Sequence, residues 1–296
     1  MRRLGIFILC FAGVAAWADK TFVYCSEASP STFNPQMAED GPTFNASSQM
    51  LYNRLVEFED GGTKIVPALA EKWDISKDGK TYTFTLRKDV TLHTTDTFKP
   101  SRTLNADDVL FSFNRALKKD HPYHKVNGGR YVYFAGMELD KLIKDIQKVN
   151  DHTVKFILSE PAAPFIANVA MSFAVILSKE YGDKLMAAKT PEKLDIEPVG
   201  TGPFVLKRYV KDNSIRYEAN PTYWMGRAKL DKVVFAITPD ANVRFQKLKA
   251  GECNLIAEPS AARLKRHFRQ FEVEVAEPAR SQCRLSGDER AKAALR

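Results

Sequence analysis

Alternating apolar and polar positions mark several β-strands along the chain. The clearest case runs through Trp73-Asp74-Ile75, then Lys77-Asp78-Gly79-Lys80, then Tyr82-Thr83-Phe84-Thr85-Leu86. Alternation on both sides of an Asp-Gly pair predicts a β-hairpin that buries one of its faces. Alternation or a short apolar run predicts further strands at Asp19–Glu27, Thr153–Leu158, Ala174–Leu177, Phe204–Val210, Ile215–Tyr217 and Lys232–Thr238.

Apolar stripes at helical spacing, preceded by capping residues, predict helices between these strands. Asn105-Ala106-Asp107-Asp108 opens a stripe that reaches Leu117, and an Asn side chain at such a position accepts a free backbone N–H. Asp240 is expected to cap the helix Ala241–Ala250 in the same way. Further helices are predicted at Phe44–Phe58, at the stretch opened by Pro161 and Pro164, after Thr190-Pro191, and at Leu139–Val149, where a helix-to-strand joint is the alternative. Helices and strands mix without a regular repeat, so the class is α/β or α+β.

The first eighteen residues have the pattern of a secretory signal peptide. Basic Met1-Arg2-Arg3 precedes an apolar run from Leu4 to Trp17, and the small-x-small sequence Ala16-Trp17-Ala18 follows. Cleavage is predicted after Ala18. A membrane span needs about 20 apolar residues, so an uncleaved anchor is the weaker alternative. We therefore expect an exported, soluble mature chain.

The formal net charge of +8 does not indicate a nucleic-acid surface. Arg2 and Arg3 leave with the signal peptide, and much of the remaining excess lies after residue 262. The body of the chain is nearly balanced, so no basic binding face is expected and nucleic acid is not predicted as a partner.

Three cysteines remain in the predicted mature chain: Cys25, Cys253 and Cys283. An oxidising compartment favours one disulfide among them. Cys25 and Cys253 lie in well-patterned segments, which favours that pair. The sequence alone leaves other pairings, and three free thiols, open.

Catalytic and cofactor motifs find little support. No G-x-S-x-G, H-E-x-x-H or S-x-x-K motif occurs, and Gly200-Thr201-Gly202-Pro203 lacks the Lys-Ser/Thr of a phosphate loop and is predicted to be a turn. Asp120, His121 and His124 are interpreted as part of a polar loop rather than as metal ligands, because no fourth ligand is evident. Neither an enzyme nor a metal or cofactor is predicted. Aromatic residues that could line a ligand cavity or belong to the core are Tyr131, Tyr133, Phe134, Tyr223 and Trp224.

The hairpin and its flanks, Leu69–Arg87, resemble the family 5 solute-binding proteins, the extracytoplasmic receptors of oligopeptide and dipeptide ABC importers. Other segments make the chain similar to the dipeptide-binding branch, which includes haem-binding members, and the likeness extends over residues 20–260. These segments are Lys20–Glu27, Leu51–Phe58, Asn105–Val109, Pro122–Val126, Gly200–Phe204 and Ile237–Ala241.

The resemblance implies a fold and particular residues. It implies an α/β fold of the periplasmic binding protein type (type II, peptide-binding cluster), with mixed sheets and flanking helices. It also implies a disulfide between Cys25 and Cys253. The loop after Asn34-Pro35-Gln36 lies at the ligand cleft in this family, so Glu39, Asp40 and Gly41 are the ligand-binding candidates. Relatives carry small hydroxyl residues in place of Glu39 and Asp40, so the two carboxylates alter the expected pocket.

The resemblance further implies a two-lobe receptor, of which this chain is expected to form the first lobe only. A core subdomain is expected from residues 19–51 and 185–278, with an inserted subdomain at 52–184. The likeness fades near Ala279, so residues 279–296 are interpreted as an atypical tail from a truncation or frameshift.

The predicted function is that of a periplasmic dipeptide-binding component of an ABC transporter, monomeric and partnered by the membrane permease. Loss of the second lobe is expected to leave dipeptide binding weak or absent, because ligand capture of this kind needs closure of two lobes. The alternatives are a haem-binding receptor and a non-functional remnant.

Overall fold

Two β-sheets and a short two-stranded pair organise residues 19–260, which are the residues that the computed structural model describes. The strands are β1 (Thr21–Ser26), β2 (Val56–Phe58), β3 (Ile65–Pro67), β4 (Ala70–Ile75), β5 (Thr81–Leu86), β6 (Ile143–Asn150), β7 (Thr153–Leu158), β8 (Phe204–Val210), β9 (Ser214–Ala219), β10 (Lys232–Ile237) and β11 (Leu255–Ile256). The α-helices are α1 (Gly41–Ser47), α2 (Ala106–Leu117), α3 (Val132–Gly136), α4 (Leu139–Leu142), α5 (Phe165–Asn168), α6 (Lys179–Ala187) and α7 (Ala241–Lys249). Short 3-10 helices lie at Pro35–Met37, Val126–Gly128 and Pro191–Asp195. The predicted signal peptide, residues 1–18, and the predicted tail, residues 279–296, lie outside the described residues.

The five-stranded sheet has the order β11-β1-β10-β9-β8. β1 pairs in parallel with both of its neighbours, whereas β9 is antiparallel to β10 and to β8. Parallel neighbours require a crossover, and here the chain between β1 and β10 is long enough to form a second sheet. That sheet is antiparallel, with the order β4-β5-β7-β6. No helix within residues 19–260 is long and apolar enough to span a membrane.

Helix α2 connects the two hydrophobic cores. Phe113 belongs to the core on the four-stranded sheet, where its ring centroid lies 4.9 Å from that of Phe156. Phe111 belongs to the other core, and its ring lies 5.3 Å from that of Tyr123. Because one helix contributes to both cores, packing links the two sheets. The boundaries of the core and inserted subdomains stay a prediction.

The capping of helix α2 and the alternating burial along strand β5 agree with the sequence predictions. The Asn105 side chain accepts the backbone N–H of Asp107 at 3.0 Å, and Asp108 accepts the backbone N–H of Asn105 at 2.9 Å. These bonds satisfy donors that a helix start leaves without partners. In β5, Tyr82 and Phe84 are buried while the intervening threonines are partly exposed. The predicted hairpin is confirmed.

Two sequence predictions of secondary structure are wrong. The helix predicted at Phe44–Phe58 ends at Ser47, and its last three residues form β2. Met50 and Leu51 are buried, but their carbonyls accept the amides of Phe204 and Gly202, both at 3.0 Å, so the backbone pairs with a distant segment. The strand predicted at Ala174–Leu177 is buried but irregular.

Two glycines permit the backbone of residues 200–204 to approach the backbone of Met50 and Leu51 closely. A Cβ on Gly200 would lie 1.9 Å from the carbonyl oxygen of Leu51, and one on Gly202 would lie 2.5 Å from the Leu51 carbonyl carbon. Only glycine fits such an approach. The Gly200-Thr201-Gly202-Pro203 segment is therefore a packing element that leads into β8.

His93 stabilises this close approach by hydrogen bonds to Gly200 and Gly202. Its side chain is buried, its Nδ1 accepts the Gly200 N–H at 3.3 Å, and its Nε2 lies 2.9 Å from the Gly202 carbonyl oxygen. This arrangement requires the neutral ring with its proton on Nε2. Burial lowers the pKa of His93 to about 4, although the bond to Gly202 opposes that shift.

Candidate ligand-binding loop

Buried side chains fix the start of the candidate loop, residues 34–41. Asn34 Oδ1 accepts the backbone N–H of Gln36 at 3.0 Å and so caps the short 3-10 helix. Gln36 Nε2 donates to the carbonyl oxygens of Ser112 at 3.0 Å and Val175 at 3.3 Å. Side chains of the loop itself therefore tie its backbone to α2 and to the buried segment beside it.

A buried ion pair lies directly beneath this loop. Arg115 Nη1 donates to Asp195 Oδ1 at 2.7 Å, and Arg115 Nη2 donates to Asp195 Oδ2 at 2.6 Å. The two side chains are 0% and 1% exposed. Each carboxylate oxygen accepts one further bond: Oδ1 from Asn34 Nδ2 and Oδ2 from Asn127 Nδ2, both at 2.7 Å. Asp195 therefore joins α2, the candidate loop and the loop around Asn127.

The charge of Arg115 is held in place by its partners. Burial by itself lowers the pKa of Arg115, but the Asp195 carboxylate and the Tyr131 hydroxyl outweigh burial, so the net shift is upward. Arg115 Nε donates to Tyr131 Oη at 3.0 Å. A buried charge with a bidentate partner is stable, whereas removing one partner leaves the other uncompensated.

The backbone conformation of the loop from His124 to Tyr131 places Asn127 and Tyr131 against the Arg115–Asp195 ion pair. Asn127 adopts a left-handed φ of 55°, and Gly129 follows at a φ of 63°. A Cβ on Gly129 would lie 2.4 Å from the His124 carbonyl oxygen, so glycine is required there. The Tyr131 hydroxyl donates to that same carbonyl at 3.2 Å. The backbone of Arg130, between Gly129 and Tyr131, is thereby fixed.

The three predicted ligand residues are neighbours with different roles. Asp40 caps α1: its Oδ1 accepts the Thr43 backbone N–H at 2.8 Å, and its Oδ2 accepts the hydroxyls of Ser31 at 2.6 Å and Thr43 at 3.0 Å. Gly41 is exposed, and a Cβ built there would have no heavy atom within 4 Å. Asp40 is thus engaged in structure, while Gly41 leaves its surface open.

Glu39 presents a carboxylate to solvent and pairs with Arg130. Glu39 Oε1 lies 3.2 Å from Arg130 Nη2, and the two side chains are 49% and 75% exposed. Ligand contact by Glu39, Asp40 and Gly41 stays a prediction. Sequence reasoning missed Arg115, Asp195 and Arg130, because each pairs with a residue at least 80 positions away and no local motif links such partners.

The aromatic candidates divide between core and surface. Tyr131 and Phe134 are buried, and Tyr133 stacks on Phe173 with ring centroids 5.5 Å apart and an interplanar angle of 7°. Trp224 instead lines a pocket of about 250 Å³, together with the β2–β3 hairpin and Met225. The Arg87 guanidinium lies 4.6 Å from the Trp224 ring centroid.

The polar loop at Asp120 has structural contacts. His124 Nδ1 lies 2.8 Å from the Arg115 carbonyl oxygen, and the ring of His121 lies 5.3 Å from that of Phe111. Within residues 19–260, no three side chains of His, Cys, Asp or Glu form a group that could hold a metal ion.

Cys25 and Cys253 form a disulfide, as expected. Their Cα atoms are 5.9 Å apart, and 228 positions separate them in sequence. The bridge ties β1 to the segment between α7 and β11, at the edge of the five-stranded sheet. Cys283 lies outside the described residues.

Comparison with known families defines the class of protein. Residues 64–286 match the family model described as bacterial extracellular solute-binding proteins, family 5 Middle. This match spans more than half of the chain, so the chain belongs to that family, and the expected resemblance is confirmed. The family consists of solute-binding proteins of the extracytoplasmic space.

Individual relatives sharpen this assignment. The chain is 54% identical to the dipeptide-binding protein of Escherichia coli (strain K12) over 266 residues, which are 90% of this chain and 50% of the relative. It is 50% identical to heme-binding protein A of Haemophilus influenzae over 247 residues, 83% of this chain and 45% of the relative. The chain therefore spans about half the length of the curated relatives it matches.

Solved structures confirm the fold. The dipeptide-binding protein from Pseudoalteromonas sp. SM9913, in complex with Met-Leu, matches at a TM-score of 0.83 and 42% identity, over 86% of this chain and 50% of that protein. The fold is the mixed α/β type II periplasmic binding protein fold of the peptide-binding cluster.

Proposed function

We propose that this chain belongs to the periplasmic substrate-binding component of a dipeptide ABC transporter and that it contacts peptide through the loop of residues 34–41. The observation that carries the proposal is the support beneath this loop. Asp195 and Gln36 anchor it from the buried side, while Glu39 and Gly41 face solvent. A preformed polar surface of this kind lowers the entropic cost of ligand binding.

The remaining parts of the proposal follow from the family. A solute-binding receptor captures its ligand without chemistry, so we propose no catalytic activity for this chain. Delivery to a membrane permease, a monomeric state and a periplasmic location complete the proposal. The Cys25–Cys253 disulfide supports an oxidising location.

NMR titration tests the proposal, because it measures dissociation constants from micromolar to millimolar. The expected binding is weak, so a method with this range is needed. Adding Met-Leu to the isotope-labelled chain should shift the amide signals of residues 38–43 in a saturable way, while the amides around Asp140 serve as an internal control. Saturable shifts confined to other regions, or no shifts, would contradict the proposal.

Haem is the competing ligand, since one relative of similar identity binds it. The same preparation should therefore be titrated with haem and followed at the Soret band. A saturable Soret shift without any response to Met-Leu would favour the haem receptor.

A further inference from the structure

We infer that the Glu39–Arg130 ion pair balances the ligand site between cationic and anionic ligands, with Arg130 as a specificity residue that acts beside Glu39. This inference rests on the proposed function, because it assumes that ligand reaches the loop of residues 34–41. Arg130 Nη2 and Glu39 Oε1 lie 3.2 Å apart, so the two charges neutralise each other.

The placement of both charges is fixed by one buried group. Glu39 lies in the loop that Asn34 ties to Asp195 Oδ1, and Arg130 follows the turn that Asn127 ties to Asp195 Oδ2. Two surface segments that are distant in sequence therefore meet through a single carboxylate. The fold beneath the pair therefore sets the backbone positions of both residues.

The pair itself is easily opened. Glu39 and Arg130 are 49% and 75% exposed, and an ion pair between side chains of this exposure is worth at most about 1 kcal/mol. A charged ligand group that approaches either partner can replace the other partner at little cost. A ligand with an additional cation would use Glu39, and one with an additional anion would use Arg130.

Intact, the pair makes the site indifferent to ligand charge. When a bound ligand excludes water, an unpaired charge loses hydration and must find a partner. With both residues present, each supplies that partner to the other. If one residue is neutralised, only the ligand can compensate the charge that remains on the other residue. The site should then prefer ligands whose charge is opposite to that remaining charge.

Three dipeptides test this inference on the full chain: Ala-Ala, Ala-Lys and Ala-Glu, each titrated by amide NMR. The unchanged chain should bind Ala-Lys and Ala-Glu with similar dissociation constants. Glu39→Gln should change the ratio of the two dissociation constants about fivefold in favour of Ala-Glu binding. Arg130→Gln should change it about fivefold in favour of Ala-Lys binding. The double variant should return to the ratio of the unchanged chain.

Glu138→Gln is the matched control. Glu138, which immediately precedes α4, forms an ion pair of similar exposure with Lys141, 67% and 73%. Its neutralisation changes the net charge by the same amount as Glu39→Gln, so it should leave the Ala-Lys to Ala-Glu ratio within twofold of the unchanged chain.

The possible failures are distinguishable. If the unchanged chain binds dipeptides but both single variants keep its ratio, or shift it in the same direction, the inference about the pair is wrong and the proposed function stands. If none of the three dipeptides shifts any amide of the unchanged chain, the proposed function is refuted and the inference falls with it.

Discussion

Acid should weaken this fold through one buried imidazole, that of His93. In the folded chain its pKa is lowered to about 4 from an ordinary value of 6.5, chiefly by burial. The lone pair of Nδ1 already accepts the Gly200 N–H, so a proton there would oppose one donor to another. Between these two pKa values the unfolded chain binds more protons than the folded chain. Stability is therefore fully present above the unfolded pKa and is lost as the pH falls toward 4.

The size of this loss follows from the shift. One pKa unit corresponds to 1.36 kcal/mol, so a decrease from 6.5 to about 4 amounts to about 3 kcal/mol of folding free energy. Domains are typically stable by about 5–15 kcal/mol, so the effect is large enough to measure. Most of it should appear between about pH 6.5 and pH 4.

Urea unfolding, followed by tryptophan fluorescence at pH 7 and pH 4, measures the effect. His93→Gln removes the titrating ring but keeps an N–H that can donate to the Gly202 carbonyl. At pH 7 the variant should be less stable by about 1–2 kcal/mol, since its bonds are less well placed. Between the two pH values it should lose about 3 kcal/mol less than the unchanged chain.

His152→Gln, near the turn between β6 and β7, is the control for replacing a histidine by glutamine, and His93→Gln should lose less stability than this control. Carboxylates that titrate over the same range are common to all three proteins, so their contribution cancels. Equal losses in the unchanged chain and in His93→Gln would refute the reasoning.

Three further perturbations test the packing around the site by the same urea assay. Gly202→Ala should destabilise by about 3 kcal/mol or more, because its Cβ would lie 2.5 Å from a backbone carbon; a loss below about 1 kcal/mol would contradict that close approach. Asp195→Asn should cost about 3–5 kcal/mol by leaving Arg115 buried without a counter-charge, and an unchanged midpoint would contradict it. Reduction of Cys25–Cys253 should cost up to about 5 kcal/mol, since the bridge closes a loop of more than two hundred residues; equal stability of the reduced chain would oppose this estimate.

Local patterns predicted those elements whose hydrogen bonds are local or whose strands are half-buried. The burial of β5 alternates through Tyr82 and Phe84, so side-chain period and backbone conformation agree. The start of α2 is equally local, because Asn105 and Asp108 cap it by reciprocal bonds within four residues. Nothing beyond the adjacent sequence is needed to specify such elements.

The helix predicted at Phe44–Phe58 failed because its backbone bonds go elsewhere. Met50 and Leu51 have helical spacing with their apolar neighbours, but their carbonyls pair with Phe204 and Gly202. An apolar stripe records burial, and burial is compatible with several backbone conformations. Only knowledge of the distant partner would have distinguished them.

The candidate site was located by resemblance, and its supporting charges were not found. Asp195 lies 80 positions from Arg115, and neither residue belongs to a sequence pattern that indicates a buried charge. A sequence of this composition has many Asp and Arg residues that form only solvated surface charges. The pairing depends on the tertiary placement of α2 near the Pro191–Asp195 3-10 helix, which one sequence does not specify.

The two ion pairs near the loop differ in the cost of exchanging a partner. Asp195 and Arg115 are excluded from water, so neither can release the other without exposing a bare charge to a dry interior. Glu39 and Arg130 are largely hydrated, so either can accept a new partner at a cost below about 1 kcal/mol. Positional order in the loop therefore depends on the buried pair, while in the proposed binding mode the exposed pair responds to ligand charge. It follows that Asp195 substitutions should impair all ligands alike, whereas Glu39 and Arg130 substitutions should change only their ranking.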